Sequence, residues 1–185
     1  TTFSFPVLAT VVGDFAPNTM DSLTTLSVPS LLTVTGAFYP NTMASLTTFS
    51  FPALETVGGD FAPNTMASLT TLSASALTAI GGNIFFSDMP SLVTFSLPAL
   101  LSVGGNVDTG GTPLNLTSVN ALLVRLAALD GTAGTTTYDG HTVIIAGSAV
   151  APGATGMTAV ATLRARGNTV NINMSITSLN QPGKT

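Results

Sequence analysis

The sequence predicts a repeat solenoid, mainly β, built from about five 23-residue coils with parallel sheets and closed by a small α/β C-terminal cap. Three observations predict it. Ser-Leu pairs stand at Ser22-Leu23, Ser45-Leu46, Ser68-Leu69 and Ser91-Leu92, a period of 23 without slippage. The apolar residues of each unit keep their places in that frame, as in Leu31, Leu54, Leu77 and Leu100, or Val34, Val57, Ile80 and Val103. After Pro113 the period stops and helical and strand spacings replace it. A unit this short cannot bury its own apolar face, whereas stacked units bury a shared column of Leu, Val, Phe and Met.

Within residues 1–112 each unit opens on an alternating stretch such as Leu26-Ser27-Val28, ended by Pro29. That is a short strand stopped by a residue that donates no ladder hydrogen bond. The Leu-x-x-Val step that follows reads as a turn or a short 3₁₀ piece. The Gly36-Ala37-Phe38 region and the Gly-Gly pairs at 58–59, 81–82 and 104–105 read as a tight bend into a second strand. Pro-Asn-Thr-Met stretches at 17–20, 40–43 and 63–66 close the unit, and Asn18, Asn41 and Asn64 are expected to bond backbone groups in those turns. Stacking at about 4.8 Å then makes two parallel sheets.

Residues 113–174 form the capping region. Val119, Leu122, Leu123, Leu126 and Leu129 have helical spacing, with Thr117 or Ser118 as N-cap and Gly131 as stop. Residues 142–146 read as a strand, Thr158 to Arg166 as a second helix ended by Gly167, and residues 169–173 as a last strand. Strand, helix and strand make a βαβ unit. Residues 175–185 read as a flexible tail. The chain opens at Thr1 inside the first unit, and this end is expected to be covered by further residues or by a neighbouring subunit.

The Leu-x-x-Leu-x-Val/Leu-Pro-x-Leu-x-x-Val-Gly-Gly-x-Phe pattern of residues 1–112 resembles leucine-rich repeats of the type found in BspA-like bacterial surface proteins and in receptor L domains. Ala-Pro-Gly-Ala-Thr-Gly at 151–156, followed by Arg164-Ala165-Arg166-Gly167-Asn168, is similar to the ends of such arrays in bacterial and phage surface proteins. The resemblance implies an extracellular, cell-surface or virion setting. The chain departs from the usual leucine-rich repeat, which carries its Asn soon after the strand; here the recurrent Asn sits late in the unit.

Only 6% of the residues are charged, against about 25% in an ordinary soluble domain. Threonine, 31 of 185 residues, takes the place of charge on the surface. Residues 1–117 hold six acids and no base; residues 118–185 hold two acids and the four bases. This excludes a polybasic nucleic-acid surface. No apolar run reaches the ~18 residues of a membrane span. The chain has no Cys, so disulfides and thiolate metal sites are excluded. No cofactor motif is present, neither a Walker loop nor Gly-x-Gly-x-x-Gly. Asp139-Gly140-His141 sets an acid beside the single His, without a nucleophile elbow, and reads as a turn rather than a catalytic pair. Asp14 and Asp60 share a column with Asn83 and Asn106, two units apart and about 10 Å from each other, too far for one small cation. Asn115-Leu116-Thr117 and Asn173-Met174-Ser175 fit the glycosylation acceptor pattern.

The first strands carry the candidate binding face. Thr2 and Ser4, Thr25 and Ser27, Thr48 and Ser50, Thr71 and Ser73, and Thr94 and Ser96 flank the inward residue in all five units. Such a flat, uncharged array of hydroxyls is easier to desolvate than charges are, and β-branched Thr also suits a sheet for purely structural reasons. The leading reading is a non-enzymatic binding or structural module, such as an adhesin, phage fibre or decoration protein. Its partners would be proteins, copies of itself or a glycan, in an oligomer or larger assembly. The alternative is an ice-binding protein using the same lattice. An enzyme using Asp139 and His141 ranks last.

Overall fold

Among the described residues the chain is mainly β, with several parallel sheets and two helices. The computed structural model describes residues 1–147 and 149–173, so the tail read over 175–185 lies outside the described residues. Strands are numbered along the chain. In the first row, β1 (Thr2–Ser4), β3 (Thr25–Ser27) and β5 (Thr48–Ser50) form one sheet, and β7 (Thr71–Ser73) and β10 (Thr94–Ser96) another. Partners are 23 residues apart, as in Thr2↔Thr25 and Thr25↔Thr48. The second row is one five-stranded sheet of β2 (Thr10–Val11), β4 (Thr33–Val34), β6 (Thr56–Val57), β8 (Ala79–Ile80) and β11 (Ser102–Val103).

A third row begins as single parallel bridges joining Phe15, Phe38, Phe61 and Ile84. It grows into a four-stranded sheet of β9 (Ile84–Phe85), β12 (Val107–Asp108), β13 (Thr142–Ile145) and β14 (Thr169–Ile172). The sequence reading of two sheets is therefore corrected to four, lying along three rows. The Leu-x-x-Val step is not a 3₁₀ turn: its Thr-Val pair is the second-row strand. The turn falls earlier, at Pro29-Ser30, where Leu31 N donates to Val28 O at 3.2 Å.

Strand alternation puts the middle residue of each first-row triplet inside. Leu26, Phe49, Leu72 and Phe95 are buried there. Leu31, Leu54, Leu77 and Leu100 meet them from the turns, and Val34, Val57, Ile80 and Val103 from the second row. Phe15, Phe38 and Phe61 stack ring on ring at centroid separations of 5.3 Å, with interplanar angles of 17° and 8°. In the first unit Phe3 is exposed and Phe5, Leu8 and Val11 are half-buried.

A side-chain ladder ties units together at the glycine bends, and backbone bridges tie them at the Pro-Asn-Thr-Met corners. Asp14 Oδ1 accepts from Ala37 N at 2.7 Å, Asp60 Oδ1 from Asn83 N at 2.7 Å, and Asn83 Oδ1 from Asn106 N at 2.8 Å. Asn106 Oδ1 then accepts from Thr142 N at 2.8 Å, carrying the ladder into the cap. The glycines of this bend leave room for those oxygens: a Cβ on Gly82 would lie 2.2 Å from Asp60 Oδ1, and one on Gly105 2.4 Å from Asn83 Oδ1. At the Pro-Asn-Thr-Met corners Asn18, Asn41 and Asn64 pair in parallel bridges. Their side chains accept from the hydroxyl of the next Thr at 3.2, 2.9 and 3.0 Å, rather than serving mainly backbone groups as expected. Those threonines, Thr19, Thr42 and Thr65, hold left-handed backbone with φ between 52 and 55°, a conformation that β-branched residues rarely adopt.

The cap begins with α1 (Leu116–Ala127), whose Val119, Leu122, Leu123 and Leu126 face inward. Its N-cap is Asn115, not Thr117 or Ser118: Asn115 Oδ1 accepts from Ser118 N at 2.9 Å. Ser118 instead ends the first row, its Oγ accepting from Phe95 N at 3.1 Å where a further strand would have offered a carbonyl. The second helix, α2 (Ala154–Ala165), starts four residues before the expected Thr158. It closes on α1 at Gly156, where a Cβ would lie 2.3 Å from Asn120 Oδ1. Parallel β13 and β14 flank α2 as the βαβ unit read from the sequence. The buried Asn168 joins this region, accepting from His141 N at 2.9 Å and donating to Tyr138 O at 2.9 Å and Leu163 O at 3.0 Å. The Arg166 guanidinium donates to Leu129 O at 2.7 Å and to Ala127 O. Among the described residues no helix is long and apolar enough to cross a membrane.

Candidate functional site

The first row presents the hydroxyl face. Because Leu26, Phe49, Leu72 and Phe95 point inward, the Thr and Ser on either side of them point out. Thr2, Ser4, Thr48, Thr71 and Ser73 are exposed, and Thr25, Ser27, Ser50, Thr94 and Ser96 are half-buried. The register brings like to like: Thr2, Thr25 and Thr48 in one column, Ser4, Ser27 and Ser50 in the next. Thr71 pairs with Thr94 and Ser73 with Ser96 in the same manner. Among the described residues, Thr94 is the one member of the ten whose hydroxyl has a protein partner, accepting from Asn115 Nδ2 at 3.5 Å.

The columns are not continuous over all five units. No ladder joins β5 to β7. The bonds that the register would place there, from Thr71 N to Thr47 O and from Phe51 N to Ser73 O, are missing. The gap falls where the inward column steps from Phe51 to Ala74, a large loss of side-chain volume. The face is thus two hydroxyl patches, of three units and two.

Asp139 and His141 are not brought together by a hydrogen bond among the described residues. His141 stacks its ring on Tyr138 at 4.7 Å, and Asp139 is exposed. Among the described residues no cluster of three or more His, Asp or Glu side chains is placed to hold a metal ion. Asn115 of the first glycosylation pattern is engaged at the α1 N-terminus. Asn173 of the second accepts from Gly147 N at 3.1 Å and donates to Gly147 O at 2.9 Å, while Met174 and Ser175 lie outside the described residues.

A second face escaped the sequence reading. On the third row two columns point outward, one running Ala37, Asp60, Asn83, Asn106 and the other Tyr39, Ala62, Phe85, Asp108. They line a groove of about 560 Å³ that ends at Thr142 and Ile144 of the cap. Tyr39 is 41% exposed and Phe85 43%, although every other ring of units two to five is buried. The available signal was positional: both stand one residue after the buried Phe38/Ile84 column, where alternation turns a side chain outward.

No protein-family model matches the chain, and no curated protein or solved structure matches it.

Proposed function

We propose that this chain is a non-enzymatic binding or structural module, a leucine-rich-repeat-like solenoid of the BspA-like or receptor L-domain type, belonging to an extracellular or virion-surface protein. It contacts protein partners, copies of itself first among them, or a glycan through its hydroxyl face. The observation that carries this reading is the set of outward Thr and Ser hydroxyls in register, nine of ten without a protein partner among the described residues. Hydroxyls without charge lose little on desolvation when a partner replaces their water. The same registered hydroxyls favour a second reading, ice binding. The serine column and the gap between β5 and β7 weigh against it, since both spoil a long two-column threonine lattice.

Sedimentation of the chain from low to high micromolar concentration tests the contact surface, beside a variant carrying Ser50→Lys and Thr71→Lys. The wild type is expected to associate as concentration rises and the variant to stay monomeric with an unchanged melting temperature. A wild type that stays monomeric, sedimenting like the variant, would overturn self-association through this face. Ice grown in the wild-type solution is expected to remain as rounded discs; faceted crystals would transfer the face to the second reading.

A further inference from the structure

We propose that the third-row groove is a saccharide-binding site for a short, uncharged oligosaccharide, with Tyr39 and Phe85 as its apolar walls and Asp60, Asn106 and Asp108 as its polar fringe. The site lies on a different face from the hydroxyl columns and does not depend on them. Tyr39 and Phe85 stand two strand steps apart, about 10 Å at ordinary strand spacing. Between them the column carries only Ala62, buried to 5% exposure, so its methyl forms a low floor between two rings. Two half-exposed aromatic rings flanking a low floor suit the apolar C–H face of a pyranose, and a few fixed polar groups beside them supply orientation.

Asp60 and Asn106 are held by the ladder that joins the units, and Asp108 by the backbone of its own turn. Asp60 Oδ1 is committed to Asn83 N and Nδ2, at 2.7 and 3.0 Å, leaving Oδ2 without a protein partner among the described residues. Asn106 Oδ1 is committed to Thr142 N, which leaves its Nδ2 donor without a protein partner among the described residues. Asp108 Oδ1 accepts from Gly110 N at 2.8 Å, which leaves Oδ2 without a protein partner among the described residues. The groove therefore offers acceptors and a donor in one rim, with side chains fixed in advance of binding.

Charge and donor count select the ligand class. The two carboxylates, with no base in residues 1–117, disfavour an acidic sugar or a phosphate. An ammonium group only donates, so Asn106 Nδ2 would face it donor to donor. A sugar hydroxyl both donates and accepts, and satisfies the carboxylates and the amide together.

The chain has two Tyr and no Trp, and Tyr138 is fully buried away from the groove, so a change in tyrosine emission on adding ligand reports on Tyr39. The wild type is titrated with cellotetraose, maltotetraose and mannotetraose while that emission is followed. At least one is expected to give a saturable change. Phe85→Ala and Asp108→Ala are each expected to weaken it about tenfold or more while still melting cooperatively. The Ser50→Lys, Thr71→Lys variant is expected to bind as the wild type does, which separates this site from the hydroxyl face. The proposal is overturned if none of the three sugars gives a saturable change, or if Phe85→Ala binds like the wild type. It is equally overturned if tetramethylammonium or oligolysine gives the saturable change and the sugars do not.

Discussion

Leu54 and Thr48 sit six residues apart in one unit and face opposite ways. Leu54 is fully buried between the units on either side, so Leu54→Ala should cost about 2–5 kcal/mol through lost transfer energy and the cavity left behind. Thr48→Ala, on the outer face, should cost under about 1 kcal/mol. Urea melts of the two variants check this, and equal losses would contradict the assignment of faces. Ala37 is the one member of the bend ladder without an acceptor. Gly59 keeps the space open that Gly82 and Gly105 give to Asp60 and Asn83, so Ala37→Asn should place an acceptor for Asp60 N and raise stability by about 0.5–1.5 kcal/mol. An unchanged or lower melting temperature would refute it. Burial pushes the Tyr138 phenol well above its ordinary value, and its Oη has no partner among the described residues. With the folded pKa raised, this group's stability is whole below about pH 10 and is lost as pH rises, because the unfolded tyrosine ionises first. Tyr138→Phe should therefore leave the neutral-pH melting temperature level or higher and flatten the fall above pH 10. A wild-type-like alkaline fall would refute it. The inward columns were legible at this scale because each repeats five times. Tyr138 was not, since a single aromatic in a turn carries no period.

At the scale of elements, the first-row strands follow directly from their Thr-Leu-Ser and Thr-Phe-Ser triplets, and the α1 face follows from its leucine spacing. The errors came where two physical signals competed. Thr33-Val34 lies too near a Pro turn for its two-residue alternation to register as a strand. Pairing with Thr10-Val11 and Thr56-Val57 decides it, and that is a contact between units. Thr117-Ser118 has cap chemistry, yet Ser118 is drawn to the edge of β10 and Asn115 takes the cap. Asn115→Ala should cost about 1 kcal/mol; Ser118→Ala should cost a similar amount by leaving Phe95 N without its acceptor. Amide exchange separates the two. Asn115→Ala should speed exchange at Ser118 in the first turn of α1, and Ser118→Ala should speed it at Phe95. The reverse pattern would overturn both assignments.

For the whole molecule, the repeat-array reading predicts that a complete unit is removable. Deleting residues 48–70 joins Thr47 to Thr71 in the same frame. The shortened chain should still melt cooperatively, at a lower temperature, since neighbour contacts add nearly independently. A shortened chain lacking β-sheet circular dichroism would refute the reading. The hydroxyl columns were legible from the period alone, but the missing ladder between β5 and β7 was not, because the period is intact there. That gap makes the molecule mechanically one-sided. The second row runs through all five units without interruption and acts like the spine of a book, while the first row is its fore-edge. A force pulling the first unit away from the cap meets an unbroken ladder on the spine side and, on the other, a row with no ladder between β5 and β7. Bending should therefore be soft in one direction and stiff in the opposite one, with the leaves parting first at that page.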